Sequence, residues 1–168
     1  LKQKFIKTFD DAVRLRMRSD VETGCYLSGG LDSASIATTA VKYNSSKPLH
    51  VFNAFIEDKT EIEGKYFDHD NYYAEKLSSE HNMIFHQVRI DKNYYINNIV
   101  DIAINHDELF LDSATMIYYA IAKEANKYVK VLLDGIAGDE IFGGYPWQSN
   151  LKLLPYSLLK YFNSKFSW

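Results

Sequence analysis

Between residues 24 and 43 the sequence changes its period across two adjacent glycines, and this restricts the fold more than any other feature. Gly24-Cys25-Tyr26-Leu27 is a short apolar run of strand character, expected to begin near Val21. Gly29-Gly30 breaks it. Leu31 to Tyr43 resumes with Ile36, Ala37, Ala40 and Val41 on one face of a helix. A strand that enters a helix through so short a turn is the opening of a β-α unit, and such units build parallel sheets.

The rest of the chain repeats the alternation. Residues from about 3 to 18 read as a helix through Phe5, Ile6, Phe9, Val13 and Met17. Asn44 to Pro48 has loop composition, and Leu49 to Ile56 is a second strand. Asp58 to Asp68 is polar and irregular, Asn71 to His81 helical, Phe85 to Ile90 a third strand, and Tyr94 to Asn105 a helix. Asp112-Ser113 offers an N-cap for Ala114 to Lys127, whose Lys123 and Lys127 suit a helix C-terminus. Val129 to Leu133 is a fourth strand, a near-continuous apolar run of the kind buried on both faces. The expected fold is α/β: a Rossmann-like open parallel sheet with right-handed crossovers and helices on both faces. Ligands of such sheets sit beyond the carboxyl ends of the strands. Two segments rich in Gly and Asp fall at that edge, 28–33 and 134–145.

Bulk properties remove several alternatives. The 168 residues suit one domain, and 46% hydrophobic with 24% charged residues is ordinary for a soluble globular protein. A net charge of -3 argues against a nucleic-acid or anionic-membrane surface. Arg14, Arg16 and Arg18 fit a solvated helix face. The single cysteine, Cys25, permits no internal disulfide and suits a reducing, cytoplasmic setting. No apolar run is long enough for a membrane span, and Leu1-Lys2-Gln3-Lys4 does not open a secretory signal. His50, His69, His81, His86 and His106 show no zinc-ligand spacing. The tyrosines at 72, 73, 94, 95, 118 and 119 fall mostly in helices and read as core or interface. The start without Met and the apolar tail after Leu151 suggest a piece of a longer chain. Residues 1–20 would be a lead-in helix, 21–148 the core, and 149–168 the start of a further helical region.

Ser28-Gly29-Gly30-Leu31-Asp32-Ser33, between strand and helix, has the makings of an anion site. The glycines let main-chain N–H groups approach phosphate, the helix start adds positive potential, and the hydroxyls of Ser28 and Ser33 add donors. Asp32 is out of place beside a polyanion unless it holds Mg²⁺, which commonly takes one or two carboxylates plus phosphate oxygens. The loop is neither a dinucleotide fingerprint nor a Walker A loop. A plain Gly-Gly turn with an Asp/Ser helix cap is the simpler alternative. The second segment, Asp134-Gly135-Ile136-Ala137-Gly138-Asp139-Glu140-Ile141-Phe142-Gly143-Gly144-Tyr145, supplies a second carboxylate in Asp139 and small residues against which an adenosine could lie. Its simpler alternative is a solvated acidic turn.

Together, Ser-Gly-Gly-Leu-Asp-Ser and Gly-Asp-Glu-Ile-Phe-Gly-Gly-Tyr resemble the synthetase domain of the asparagine synthetase family, within the PP-loop ATP pyrophosphatases. The Arg14–Val21 lead-in, Phe52 to Asp58, and Asn105 to Glu108 with Asp112-Ser113 resemble further family segments, Leu109 standing where the family has Pro. The resemblance covers about 20 to 148. It implies an adenine nucleotide α-hydrolase-like fold and an ATP-dependent amide-forming ligase of the glutamine-hydrolysing asparagine synthetase type. A carboxylate, aspartate foremost, attacks the α-phosphorus of ATP, pyrophosphate leaves, and ammonia displaces AMP from the acyl-adenylate. On this chain Ser28, Gly29, Gly30, Leu31, Asp32 and Ser33 would grip pyrophosphate. Asp32 and Asp139 would hold Mg²⁺ and serve catalysis, and Tyr26, Leu27, Ala54, Asp134 and Gly135 would line the adenosine.

The sequence also departs from the family. Ile136 stands where the family often carries an acid thought to assist the amine or ammonia attack, and Ile transfers no proton. The family's catalytic lysine would lie beyond Trp168, and its N-terminal glutaminase domain, which opens on a nucleophilic cysteine, would precede this segment. Alone, the segment is therefore expected to be inactive. Cys25, inside a strand, reads as a structural thiol. Other readings are a relative with a different acceptor (sugar-acid amidation, or peptide or lactam ring closure) and a non-catalytic ATP-binding module. A homodimer is a further expectation.

Overall fold

The structure, a computed structural model, describes residues 1–44, 47–57, 66–106 and 113–145, with only the main chain at 66–69 and 113. It divides into two units, residues 1–135 and 136–168. The first carries α1 (Lys2–Arg16), β1 (Thr23–Tyr26), α2 (Leu31–Val41), β2 (His50–Ile56), α3 (Tyr66–Glu80), β3 (Ile84–Ile90), α4 (Lys92–His106), α5 (Ser113–Ala125) and β4 (Val131–Leu133). The second carries α6 (Gly138–Phe142).

The four strands form one parallel sheet in the order β3-β2-β1-β4, as the α/β alternation implies. Right-handed crossovers explain where the helices go. The chain steps from β1 to β2 to β3 in one direction, then reverses to place β4 on the other side of β1. The reversal moves the later helices to the opposite face. Val13 of α1, Ala37 and Ala40 of α2 and Ala74 of α3 pack with Cys25, Leu27, Val51 and Leu133. Ile102 of α4 and Met116, Ala120, Ile121 and Ala125 of α5 pack with Phe52, Val88 and Ile90. The alternation Val51/Phe52 in β2 thus feeds two cores, one on each face.

Several boundaries differ from the sequence expectation. β1 starts at Thr23, not Val21, because the hydroxyl of Ser19 accepts from the N–H of Val21 and holds it in a turn, leaving Val21 exposed. α3 already starts at Tyr66, within the polar stretch Asp58 to Asp68 expected to be irregular and ahead of the expected start at Asn71. α4 begins two residues early because the Asp91 carboxylate accepts from the N–H of Tyr94 at 2.6 Å, a side-chain cap invisible to hydrophobic periodicity. β4 is shorter than its apolar run: it pairs only with β1 among the described residues, and Val131 lies exposed. The expected cap at Asp112 and the helical region at 149–168 lie outside the described residues.

The sheet also joins two histidines far apart in sequence. His50 Nδ1 and His86 Nε2 are 2.8 Å apart, with nearly coplanar rings, beside Phe52 and under Tyr128. A ring N–H of one donates to the bare nitrogen of the other, so the pair works only while one of those two nitrogens is unprotonated. Burial and His50 hold the His86 pKa below its ordinary 6.5, with Glu124 pulling weakly the other way. The unfolded imidazole therefore takes up its proton first. Stability is fully present above pH 6.5 and declines as pH falls through the lower folded value. His86→Phe, which preserves the stacking surface, is expected to flatten the fall of the urea midpoint between about pH 7 and 5. An unchanged pH slope would assign the acid limb to other groups.

Candidate nucleotide-binding site

The strand order reverses between β1 and β4, and open parallel sheets take their ligands at such a point, beyond the carboxyl ends of the strands. The loop 28–30 leaves β1 at this point, and residues 134–135 leave β4 beside it.

Ser33 organises the loop. Its Oγ accepts from the Ser28 N–H at 3.1 Å, lies 2.9 Å from Ser28 Oγ, and donates to the Gly30 carbonyl at 3.2 Å. The Gly30 N–H in turn points to Ser28 Oγ at 3.3 Å. The two hydroxyls expected to face a ligand are thus engaged with each other. What remains is the start of α2. Gly30, its N-cap, supplies no side-chain cap, and the first helical hydrogen bond runs from Ala34 N–H to the Gly30 carbonyl. The N–H groups of Leu31, Asp32 and Ser33 are left for an anion.

Two glycines keep this arrangement open. Gly29 has φ +88°, and a Cβ there would stand 2.0 Å from the Asp70 carbonyl oxygen of α3. Gly135 passes the first turn of α2 so closely that a Cβ would lie 2.8 Å from the Ser33 nitrogen, covering one of the open donors. The sequence marked both glycines but not the reason. Asp70, the partner of Gly29, gave no signal of its own.

The remaining expected residues divide by face. Tyr26 and Ala54 pack on the α4/α5 side of the sheet. The Tyr26 ring meets Tyr118 of α5 edge-on, with centroids 5.4 Å apart. Burial, with the nearby Asp134 carboxylate, pushes the Tyr26 phenol up to about 12, so it stays neutral at physiological pH. Leu27 is fully buried in the other core; its N–H donates to the Phe52 carbonyl and its own carbonyl accepts from Asn53. Leu31 is exposed, and Asp32 is half-buried in the first turn of α2. Cys25 is wholly buried and its thiol is raised to about 12, the inert structural residue expected.

Asp139 belongs to the second unit. There it sits in the first turn of α6, between Ala137 and Gly143, both in left-handed conformation. Its carbonyl accepts from the N–H groups of Gly143 and Gly144, and Gly144 has no Cβ to collide with its carboxylate. Ile136 is exposed, and the Tyr145 hydroxyl donates to Glu140 at 2.8 Å.

No three His, Cys, Asp or Glu side chains gather into a closed metal cage among the described residues. Mg²⁺ does not need one, since it takes most of its ligands from water and phosphate. Asp32 fits that use: it has no cationic partner among the described residues and stands beside the open helix start. No helix among the described residues is long and apolar enough to cross a membrane.

Residues 4–163 match the family model for asparagine synthase. The chain is 35% identical over 147 residues to asparagine synthetase (glutamine-hydrolyzing) 1 of Bacillus subtilis, covering 87% of this chain and 22% of that protein. It is 29% identical over 149 residues to asparagine synthetase (glutamine-hydrolyzing) 3 of the same organism, covering 83% of this chain and 24% of that protein. It thus spans about a quarter of the length of the curated relatives it matches. Among solved structures, the U34-tRNA thiolase of Methanococcus maripaludis superposes with a TM-score of 0.54 at 17% identity, over 80% of this chain and 46% of that one, a likeness of fold. With β1, its Ser-Gly-Gly-Leu-Asp-Ser turn and Gly135 meeting at the switch of strand order, and with the family model matched over nearly the whole sequence, the chain belongs to the asparagine synthase family.

Proposed function

We propose that this chain is the ATP-handling part of an amide-forming ligase, in which a substrate carboxylate displaces pyrophosphate from the α-phosphorus of ATP and ammonia then displaces AMP. The observation that carries this reading is the uncapped start of α2 at the strand-order switch, its Ser33 N–H kept open because Gly135 has no side chain.

In this reading the N–H groups of Leu31, Asp32 and Ser33 receive the β- and γ-phosphate oxygens that leave as pyrophosphate. Ser28, Gly29 and Gly30 fix the loop so that these donors are aimed before ATP arrives. Tyr26, Ala54, Asp134 and Gly135 border the adenosine, Tyr26 through its neutral ring. Asp32, joined by Asp139, would hold Mg²⁺, which neutralises charge as pyrophosphate departs. Aspartate is the leading carboxylate, and glutamine-derived ammonia the leading nitrogen source, because the relatives bear the name of glutamine-hydrolysing asparagine synthetases.

The test is pyrophosphate release from ATP by the full-length protein. It is expected to require Mg²⁺ and a carboxylate acceptor, with AMP and an amide as the other products. ADP and phosphate in place of AMP and pyrophosphate would sink the reading. Exposed Ile136 favours one second reading, in which the acceptor is a different carboxylate or its amine is supplied intramolecularly. The same assay separates the two: release that ignores aspartate but follows a sugar acid or an amino-bearing carboxylate selects the second.

A further inference from the structure

We propose that Asn53 is a positioning residue for the nucleotide loop, setting the direction of the one peptide unit that connects the sheet to the start of α2. This rests on the ATP reading above and adds a residue that the reading does not assign. The ladder between β1 and β2 ends in register at Tyr26 and Phe52. One more main-chain bond follows, from the Leu27 N–H to the Phe52 carbonyl at 2.8 Å. The next rung would have a main-chain N–H of β2 reach the Leu27 carbonyl. Instead the side chain takes it, Asn53 Nδ2 donating to Leu27 O at 2.8 Å.

The carbonyl of Leu27 and the N–H of Ser28 belong to the same planar peptide, so fixing one fixes the other. That N–H donates to Ser33 Oγ, which donates to the Gly30 carbonyl, the acceptor of the first helical bond of α2. Asn53 thus holds one end of a continuous path from β2 through the Leu27–Ser28 peptide to the helix start. Without its donor, the peptide is held at the Ser33 end alone and is free to tilt. The N–H groups of Leu31 to Ser33 then lose their common aim.

The cost of this residue argues the same way. Asn53 is buried, only 3% exposed, and its Oδ1 has no partner among the described residues. An unpaired buried acceptor destabilises the fold, while an apolar side chain here would leave the buried Leu27 carbonyl without its donor instead. The amide is kept for the half that is bonded, the donor to Leu27.

The experiment compares wild-type full-length protein with Asn53→Leu and Asn53→Asp. Leu keeps the volume without polar atoms; Asp keeps the shape while removing the donor. Thermal midpoint, amide hydrogen exchange at 28–33 without nucleotide, and the Kd for Mg-ATP are measured on each. Both variants are expected to stay folded, to speed exchange at Ser28 and to raise the Kd about tenfold, with Asp the worse. Wild-type protein that does not bind Mg-ATP would overturn the ATP reading and the proposal built on it. Wild-type binding with an unchanged Kd and unchanged loop exchange in the folded variants would overturn the role of Asn53 alone. A lowered thermal midpoint with wild-type Kd would likewise reduce Asn53 to a structural residue.

Discussion

Gly29→Ala is expected to lower the urea midpoint steeply, by the equivalent of about 3 kcal/mol or more. Two independent penalties fall on one methyl group. The backbone holds φ +88°, which a non-glycine residue occupies at a cost of roughly 1–2 kcal/mol. The new Cβ would also stand 2.0 Å from the Asp70 carbonyl oxygen and 2.7 Å from its carbonyl carbon. Those atoms are helix backbone, so α3 or the loop must move as a whole, and overpacking of this kind costs about 1–3 kcal/mol. Typical domains hold only about 5–15 kcal/mol in reserve. Gly30→Ala is the informative control, because Gly30 has ordinary extended backbone and its Cβ would meet only Ser28 Oγ, at 3.3 Å. Equal midpoints for the two variants would mean that the turn is not held against α3 as described.

Asp32→Asn is expected to do the opposite: leave the fold nearly untouched and reduce pyrophosphate release by about a hundredfold or more. The carboxylate stands in the first turn of α2, where its attraction to the helix dipole is worth only about 0.3–1 kcal/mol. Asn matches its shape, and Asp32 makes no side-chain cap to lose, so the thermal midpoint should barely change. The charge is what is lost. In the proposed role that charge holds Mg²⁺ against the departing phosphates, and a neutral amide is a poor ligand for so hard a cation. Raising Mg²⁺ should recover part of the activity if binding is the defect. Full activity of Asp32→Asn at ordinary Mg²⁺ would remove Asp32 from the site and with it the metal half of the proposal.

Part of this loop is legible in the sequence. The Gly-Gly break, Asp32 and Ser33 were legible because a turn between strand and helix admits few residue types, and the chemistry of each is local. The two core faces were legible for the same reason, since Val51 and Phe52 must point to opposite sides of any strand. Helix starts fared less well. The cap of α4 by Asp91 and the early start of α3 depend on single polar contacts, which leave no mark in hydrophobic period. Asn53 lies inside a strand legible from its apolar neighbours, and nothing local says that it bonds the Leu27 carbonyl.

The sequence by itself determined that strands alternate with helices, that the sheet is parallel, and that a Gly-Gly turn carrying Asp and Ser joins the first strand to a helix. Each follows from contacts within a few residues, where period, glycine and charge act directly. Only the tertiary structure decided that Gly29 lies against Asp70, that Gly135 leaves the Ser33 N–H open, that His50 meets His86, and that Asn53 reaches across from β2 to the Leu27 carbonyl. Those pairs are 41, 102, 36 and 26 positions apart, and their contact depends on strand order and register, which no local pattern encodes. The loop's residue types are written in the chain; the direction in which its N–H groups point is set by the neighbouring strand.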